Sequence, residues 1–408
     1  MKSEFNPETN VWKGVQTPYP IPMEMHLSEL VINTLKQSPK HVAQISYDED
    51  SEMTCEDLRV KIIRVAQNLK KLGIKENDVI GFVSDKSLDQ MAFVNGILQL
   101  GAVVNAMSPS HGKDDLIKMF RNTEPKIMIC NAEIYDKIKA VLTELQNNIP
   151  IFTTFGKVAD VASVNNLLKP TGQEDDYQIT KFDNPQSKLI AILPTSGTSG
   201  SPKSVCISQA FFMKFLKLSE KENTRSLCFS GLSWVSGFGL MLVNPLTNET
   251  SVVTKKSFTP EILIDIATKY KTTHLTLEPP KLTTLFKSPL LKTFDTSNVK
   301  VIATSGMIMS VELRKKVNEV FPKADLLILY GLSEVSGALT FPGMPKDDLT
   351  VGYVLPNHLL KVVDDDGNAL GIGKTGEILL KYTLVPLLVR KFVSYQCHKL
   401  IIIPSGLL

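Results

Sequence analysis

Read for apolar spacing alone, the chain alternates between two periods. Residues 54–72 repeat at helical intervals: Thr54 stands where an N-cap belongs, and Leu58, Ile62, Val65, Ala66, Leu69 and Leu72 share one face. Gly73 supplies the stop. Val79–Val83 is an apolar run of strand length. A helix over Ser87–Leu100 closed by Gly101, and a strand over Ala102–Ala106, come next. The pattern then predicts helix 113–121, strand 127–130 and helix 133–145. A polar linker near 170–186 interrupts it. Strand 189–193 and helix 209–219 resume it, and further pairs run through helix 310–320 and strand 326–329. Strands alternating with helices make parallel sheets covered on both faces. From about 349 the period changes. Leu359–Val363, a turn at Asp365-Asp366-Gly367-Asn368 and Glu377–Leu380 predict antiparallel strands.

At 408 residues the chain exceeds the usual length of one domain. Its 43% hydrophobic and 21% charged content separates it from disordered chains. The net charge of +3 comes with scattered lysines, which argues against nucleic acid as the main partner. The five cysteines, Cys55, Cys130, Cys206, Cys228 and Cys397, are odd in number and far apart. That spacing favours neither a disulfide framework nor zinc, and it suits a reducing compartment. The first ten residues lack the apolar stretch of a signal peptide. Two uncharged stretches, 91–112 and 226–248, are long enough to span a membrane. Each holds internal polar residues and a dividing glycine, so two buried elements joined by a turn are expected instead of a transmembrane segment.

Three polar segments follow short apolar runs. The first is TSGTSGSPKS at 195–204, after Leu189–Leu193. Glycines let backbone N–H groups approach phosphate oxygens, the hydroxyls add donors, and Lys203 adds a mobile point charge. The Walker spacing is absent. By itself the stretch also fits a flexible Ser/Gly/Thr surface linker. The second is Ala303-Thr304-Ser305-Gly306 after 299–302, and the third is Tyr330-Gly331-Leu332-Ser333-Glu334 after 326–329. Ligands of open α/β sheets bind outside the carboxyl ends of the strands. The expectation is therefore that all three loops gather at one common sheet edge.

These segments resemble the adenylate-forming (AMP-binding) superfamily, which includes acyl-CoA synthetases, 4-coumarate–CoA ligases and beetle luciferases. The family's loop reads roughly T-S-G-T-T-G-x-P-K-G, and its later Y-G-x-[TS]-E matches YGLSE at 330–334. The resemblance extends through 69–87, 98–109 and 351–381, and its wording is nearest to insect luciferase-like acyl-CoA ligases. It implies an α/β fold of two doubly wound, mostly parallel sheets with helices, plus a small β-rich distorted barrel. The expected organisation is one AMP-binding domain over 1–381, with subdomains near 1–186, 187–345 and 346–381.

The implied reaction joins a carboxylate to ATP, giving an acyl-adenylate and pyrophosphate, and then a thioester with coenzyme A. A long-chain fatty acid is the expected substrate. Thr195, Ser196, Gly197, Thr198, Ser199, Gly200 and Lys203 would hold the β- and γ-phosphates. Ser333 would touch the α-phosphate, and Glu334 would bind Mg²⁺, a hard ion suited to carboxylate oxygen. Lys203, Ser333 and Glu334 are thus the candidate catalytic residues. Tyr330 would lie against adenine beside Gly331, with Ser305, Gly306 and Met307 on the other side. Trp234, Ser236, Gly237, Phe238 and Gly306 would line the acid pocket, and Glu278-Pro279-Pro280 would edge it. Each role has a structural counterpart. Glu334 suits a helix N-terminus, Ser333 suits an N-cap, and Tyr330, Trp234 and Phe238 suit core packing. His274 reads as structural.

The chain departs from the pattern in places. Ser199 and Ser204 replace Thr and Gly, and Ser236 stands where luciferase-like relatives carry His. Residues 382–408 follow no family motif, and the family's C-terminal α+β domain is not matched. A truncated or spliced product, or a gene-model end, is the expectation. Lys391 and Lys399 receive no role. The alternative function is a catalytically impaired isoform that binds nucleotide and acyl group. Relatives are often peroxisomal. The terminal Gly406-Leu407-Leu408 is not a Ser-Lys-Leu-type address, which makes the cytoplasm the alternative.

Overall fold

The computed structural model describes residues 3–17, 22, 24–195, 203–210, 223–333, 337–338, 340–341 and 350–382. It opens with a hairpin, β1 (Glu4–Asn6) and β2 (Val11–Lys13), then α1 (Leu27–Gln37), β3 (Val42–Ser46) and β4 (Ser51–Thr54). An alternating run follows: α2 (Cys55–Lys71), β5 (Val79–Val83), α3 (Gln90–Leu98), β6 (Val103–Ala106), α4 (Lys113–Thr123), β7 (Ile127–Asn131), α5 (Tyr135–Glu144), β8 (Ile151–Thr154) and β9 (Ala162–Ser163). After the polar linker come β10 (Leu189–Thr195) and β11 (Lys203–Ser208). A second run holds β12 (Arg225–Cys228), α6 (Val235–Thr247), β13 (Thr250–Val253), α7 (Pro260–Tyr270), β14 (His274–Thr276), α8 (Pro279–Lys287), β15 (Val301–Ser305), α9 (Val311–Val320) and β16 (Asp325–Leu329). The last strands are β17 (His358–Val363), β18 (Ala369–Leu370) and β19 (Glu377–Tyr382).

Two seven-stranded sheets result. The first runs β11-β10-β6-β5-β7-β8-β9, and the second β16-β15-β14-β12-β13-β3-β4. All neighbours are parallel except the pairs β10/β11 and β3/β4. The expected doubly wound α/β fold is therefore present. The small antiparallel sheet is also present, with β17 pairing β19 and β18. Its Asp364–Asn368 turn is tied by the Asn368 amide to Asp364 Oδ1 at 2.8 Å, with Gly367 at a φ of 85°. The hairpin β1/β2 adds to its other side. Polar positions there hide the strand signal, so the hydropathy pattern misses it.

Helix α2 forms where the spacing predicts. Thr54 accepts from the Asp57 amide at 3.1 Å while Asp57 Oδ2 accepts from the Thr54 amide, a full capping box. Its Leu58, Ile62 and Leu69 are fully buried, each stabilising the fold by roughly 1.5–3 kcal/mol. Helix α3 is buried along its whole length and starts at Gln90, three residues later than the pattern suggests. Gly96 is its contact with α2, since a Cβ there would lie 2.5 Å from Val65 Cγ1. Helices α1, α2, α3 and α6 join one core with β5, β6 and β10 of the first sheet and Ala43 and Met53 of the second. They form the layer between the sheets. This burial explains both uncharged stretches, and among the described residues no helix is long and apolar enough to cross a membrane. Strand β11 replaces part of the polar stretch read as a loop. The expected helix over 209–219 falls largely outside the described residues, as do Cys397, Lys391 and Lys399. The other four cysteines are free thiols.

His26 caps α1 from a buried position, its Nδ1 accepting from the Ser28 amide at 3.3 Å. Burial, with the charge of Lys188 adding, lowers its pKa from 6.5 to about 4. The unfolded chain thus binds more protons between these values, so stability is complete above about 6.5 and is lost as pH falls toward 4. From pH 7 to about 5 the parent chain should lose roughly 2 kcal/mol more than His26→Asn, which keeps a capping side chain. Urea unfolding at both pH values measures this, and equal losses would refute the assignment.

Candidate active site

The two sheets meet at the carboxyl ends of their strands. Lys86, in the loop after β5, donates from Nζ to the main-chain carbonyl of Cys228 at the end of β12. Lys255, after β13, lies 5.6 Å from the ring centroid of Phe155, which follows β8. Between these contacts lies a crevice of about 440 Å³ lined by Tyr47, Lys86, Phe155, Thr254, Lys255 and Lys256, among others. It occupies the position where open α/β sheets bind ligands.

Thr195 and Lys203 are paired across the β10/β11 hairpin, and both are half-buried. Ser196, Gly197, Thr198, Ser199 and Gly200 lie outside the described residues. Ser305 ends β15 opposite Leu329 of the adjacent parallel strand β16, so Gly306 and Tyr330 leave neighbouring strand ends. The expectation of one common sheet edge is thereby corrected. Two of the loops share the edge of the second sheet, while Thr195 and Lys203 belong to the first. Apolar strands look alike in sequence, and hydropathy carries no information about which sheet a buried strand joins.

Gly306 has a φ of 86°, and nothing lies within 4 Å of where a Cβ would be, so backbone conformation rather than space explains the glycine. Met307 and Ile308 beyond it are 63% and 77% exposed, leaving an apolar rim on the strand edge. Burial pushes the Tyr330 hydroxyl up to about 12. Its oxygen has no hydrogen-bond partner among the described residues, and neither does the buried Thr304 Oγ1 one strand away. Unpaired buried polar atoms are costly, and two of them at one strand edge suit a polar ligand. Gly331 and Leu332 pair with Ala338 and Gly337, holding half-buried Ser333 at the edge. Glu334 lies outside the described residues.

The loop from Cys228 to α6 carries the remaining candidates. Trp234 is 62% exposed at the N-cap of α6, while Phe238 is buried in the core beside Met241 and Leu242. The packing reading thus describes Phe238, and Trp234 is the side chain at the surface. Ser236 is half-buried. Gly237 is required by space: a Cβ would stand 2.1 Å from the Gly231 carbonyl oxygen.

Sequence reading missed the ionic cluster at this edge. Glu278, the N-cap residue of α8, accepts from Ser230 Oγ at 2.9 Å and pairs with Lys281 at 2.6 Å. Burial pushes the Glu278 carboxyl up, but Lys281 and Ser230 outweigh it and leave the group below its usual range. Burial lowers the pKa of Lys86, with Lys281 adding and Glu278 opposing. A lone lysine in a polar loop gives no periodic or motif signal. His274 bonds through Nδ1 with Thr273 Oγ1 at 2.9 Å, as a structural residue would.

Comparison with known proteins gives a consistent family. Residues 32–385 match the profile described as AMP-binding enzyme. The chain is 25% identical over 385 residues to "Probable 4-coumarate–CoA ligase 1" of Dictyostelium discoideum, covering 88% of this chain and 69% of that protein. It is 23% identical to the luciferin 4-monooxygenase of Photuris pensylvanica, covering 93% and 70%. Among solved structures, the luciferase-like enzyme from the nonluminescent mealworm Zophobas morio superposes with a TM-score of 0.83 at 27% identity, covering 91% and 89%. A long-chain-fatty-acid–CoA ligase from Archaeoglobus fulgidus shares the fold, with a TM-score of 0.78 at 21% identity, covering 91% and 76%.

Gly237→Ala should force the Gly231 carbonyl aside and destabilise the chain by roughly 1–3 kcal/mol. Urea unfolding measures this, and an unchanged midpoint would show that the loop gives way freely.

Proposed function

The chain belongs to the AMP-binding enzyme family of adenylate-forming enzymes, and on that premise we propose that it joins a fatty-type carboxylic acid to coenzyme A at the expense of ATP. In the first step a carboxylate oxygen attacks the α-phosphorus and pyrophosphate leaves. In the second a thiol sulfur attacks the acyl carbonyl and AMP leaves. Both steps bring anions together, so fixed positive charge and N–H donors must be in place beforehand.

The observation that carries this reading is the common order of the two sheets. Lys86–Cys228 joins β5 to β12, and Phe155–Lys255 joins β8 to β13. From β5 to β8 in one sheet therefore runs the same way as from β12 to β13 in the other. Carried on in the opposite direction, this order would set β6 and β10 alongside β14, β15 and β16. Thr195 and Lys203 would then face Ser305, Gly306 and Tyr330 across the gap between the sheets, on the opposite side of Lys86 from the crevice. The loops need no common sheet edge, only facing edges.

In this arrangement Lys203 and the 196–200 backbone hold the β- and γ-phosphates. Ser333 donates to the α-phosphate. Tyr330 and the Ser305–Met307 segment enclose the adenine, and the unpaired Tyr330 hydroxyl suits a polar nucleotide atom. The carboxylate of Glu334 suits Mg²⁺, which when bound would offset phosphate charge. Trp234 and Ser236 border the acid.

Lys203→Ala removes a charge-assisted contact worth about 1.5–3 kcal/mol, so ATP affinity should fall about ten- to a hundredfold. Calorimetry with ATP measures this, alongside AMP release from acid, ATP and coenzyme A. Unchanged affinity would overturn the phosphate site. Binding without AMP release would favour the impaired-isoform reading.

A further inference from the structure

The edge between the nucleotide loops and the crevice is charged where a hydrocarbon chain would need an apolar wall. Lys86 reaches across from the first sheet and is withdrawn from water, and Ser230, Glu278 and Lys281 stand beside it. The charge of Glu278 is taken up by Lys281 and Ser230. Lys86 is then the basic group of this cluster with no acidic partner among the described residues, while Asp48, Glu49 and Asp265 line the same crevice together with Lys255, Lys256 and Lys269. An ammonium has three N–H donors. Lys86 gives one to Cys228 and has no other hydrogen-bond partner among the described residues. A half-buried cation with two unused donors on a crevice wall is costly unless an anion completes it.

We propose that Lys86 is a specificity-determining residue that binds a second anionic group at the far end of the acid, making fatty α,ω-dicarboxylic acids the preferred substrate class. This rests on the ligase reading, which sets the reacting carboxylate beside Gly306 at the end of β15. Strands β15 and β12 are two steps apart, so about 10 Å separates the two anchoring points. A medium-chain dicarboxylate spans that distance in extended form. Its reacting carboxylate lies at the nucleotide, its methylenes pass Trp234, and its second carboxylate accepts from Lys86. A chain ending in a methyl group would leave the ammonium unsatisfied. No new bond forms at Lys86; its contribution is to binding.

The test compares suberate with octanoate in the full chain, by AMP release in the presence of ATP and coenzyme A and by calorimetric binding of each acid. Suberate should be preferred, and Lys86→Met should lower the suberate-to-octanoate ratio about ten- to a hundredfold. Lys86→Arg, which keeps the charge and the reach to Cys228, should retain part of the preference and guards against a folding defect in the methionine variant. If Lys86 only ties the sheets together, both acids weaken alike and the ratio stays constant, which would overturn the proposal. Lys86-dependent suberate binding without AMP release from either acid would uphold the site and count against the ligase reading. Failure of suberate to bind would overturn the site itself.

Discussion

Helix α3, packed among α1, α2 and α6, has no side to present to water, and everything else follows from where it can go. Helix α3 is buried at every position. Such a helix is stable only when covered from more than one direction. Two parallel sheets supply the cover, one from each side. A parallel sheet in turn must be wrapped by helices, because right-handed crossovers place them on its faces. The two requirements satisfy each other, and the cost of a misfit is visible at Gly96, where α3 touches α2 too closely for any side chain.

Placing two sheets on one helical layer brings their carboxyl ends to the same side. Loops at these ends are free of packing duty and can carry chemistry. Lys86 and Lys203 stand at the ends of the first sheet's strands, and Thr304, Tyr330 and the left-handed Gly306 at those of the second. The proposed site draws on both sets. The contact between Lys86 and Cys228 is one of two places where the edges touch, and it lies beside the Glu278–Lys281 ion pair. Burying such charges is unfavourable unless each finds a partner. Glu278 has two, which is why its carboxyl stays ionised despite burial.

Much of this was legible in the sequence. The 3.6-residue spacing and the Thr54 cap located α2, and the alternation of strand and helix gave the doubly wound class. The ordered motifs at 195–204 and 330–334 gave the family. Strand pairing was not legible. Leu189–Leu193 and Leu326–Leu329 have the same apolar texture, yet they join different sheets, because non-local hydrogen bonds rather than local pattern decide the partner. The short strands at Glu4–Asn6 and Val11–Lys13 escaped for a related reason: they are stabilised by pairing with β17 far along the chain. Phe238 sits beside a glycine-rich motif and invites a binding role, but its ring is in the core. Glu278 was expected at the edge of the acid pocket, but its pairing with Lys281 and its nearness to Lys86 were not legible, since that neighbourhood is created only when the two sheets face each other.

The central claim is that both sheets contribute to one nucleotide site. Hydrogen exchange of the full chain with and without saturating ATP tests it most directly. The account predicts slowed exchange in two separate segments, 189–208 from the first sheet and 301–333 from the second. Slowing confined to one of them would contradict it.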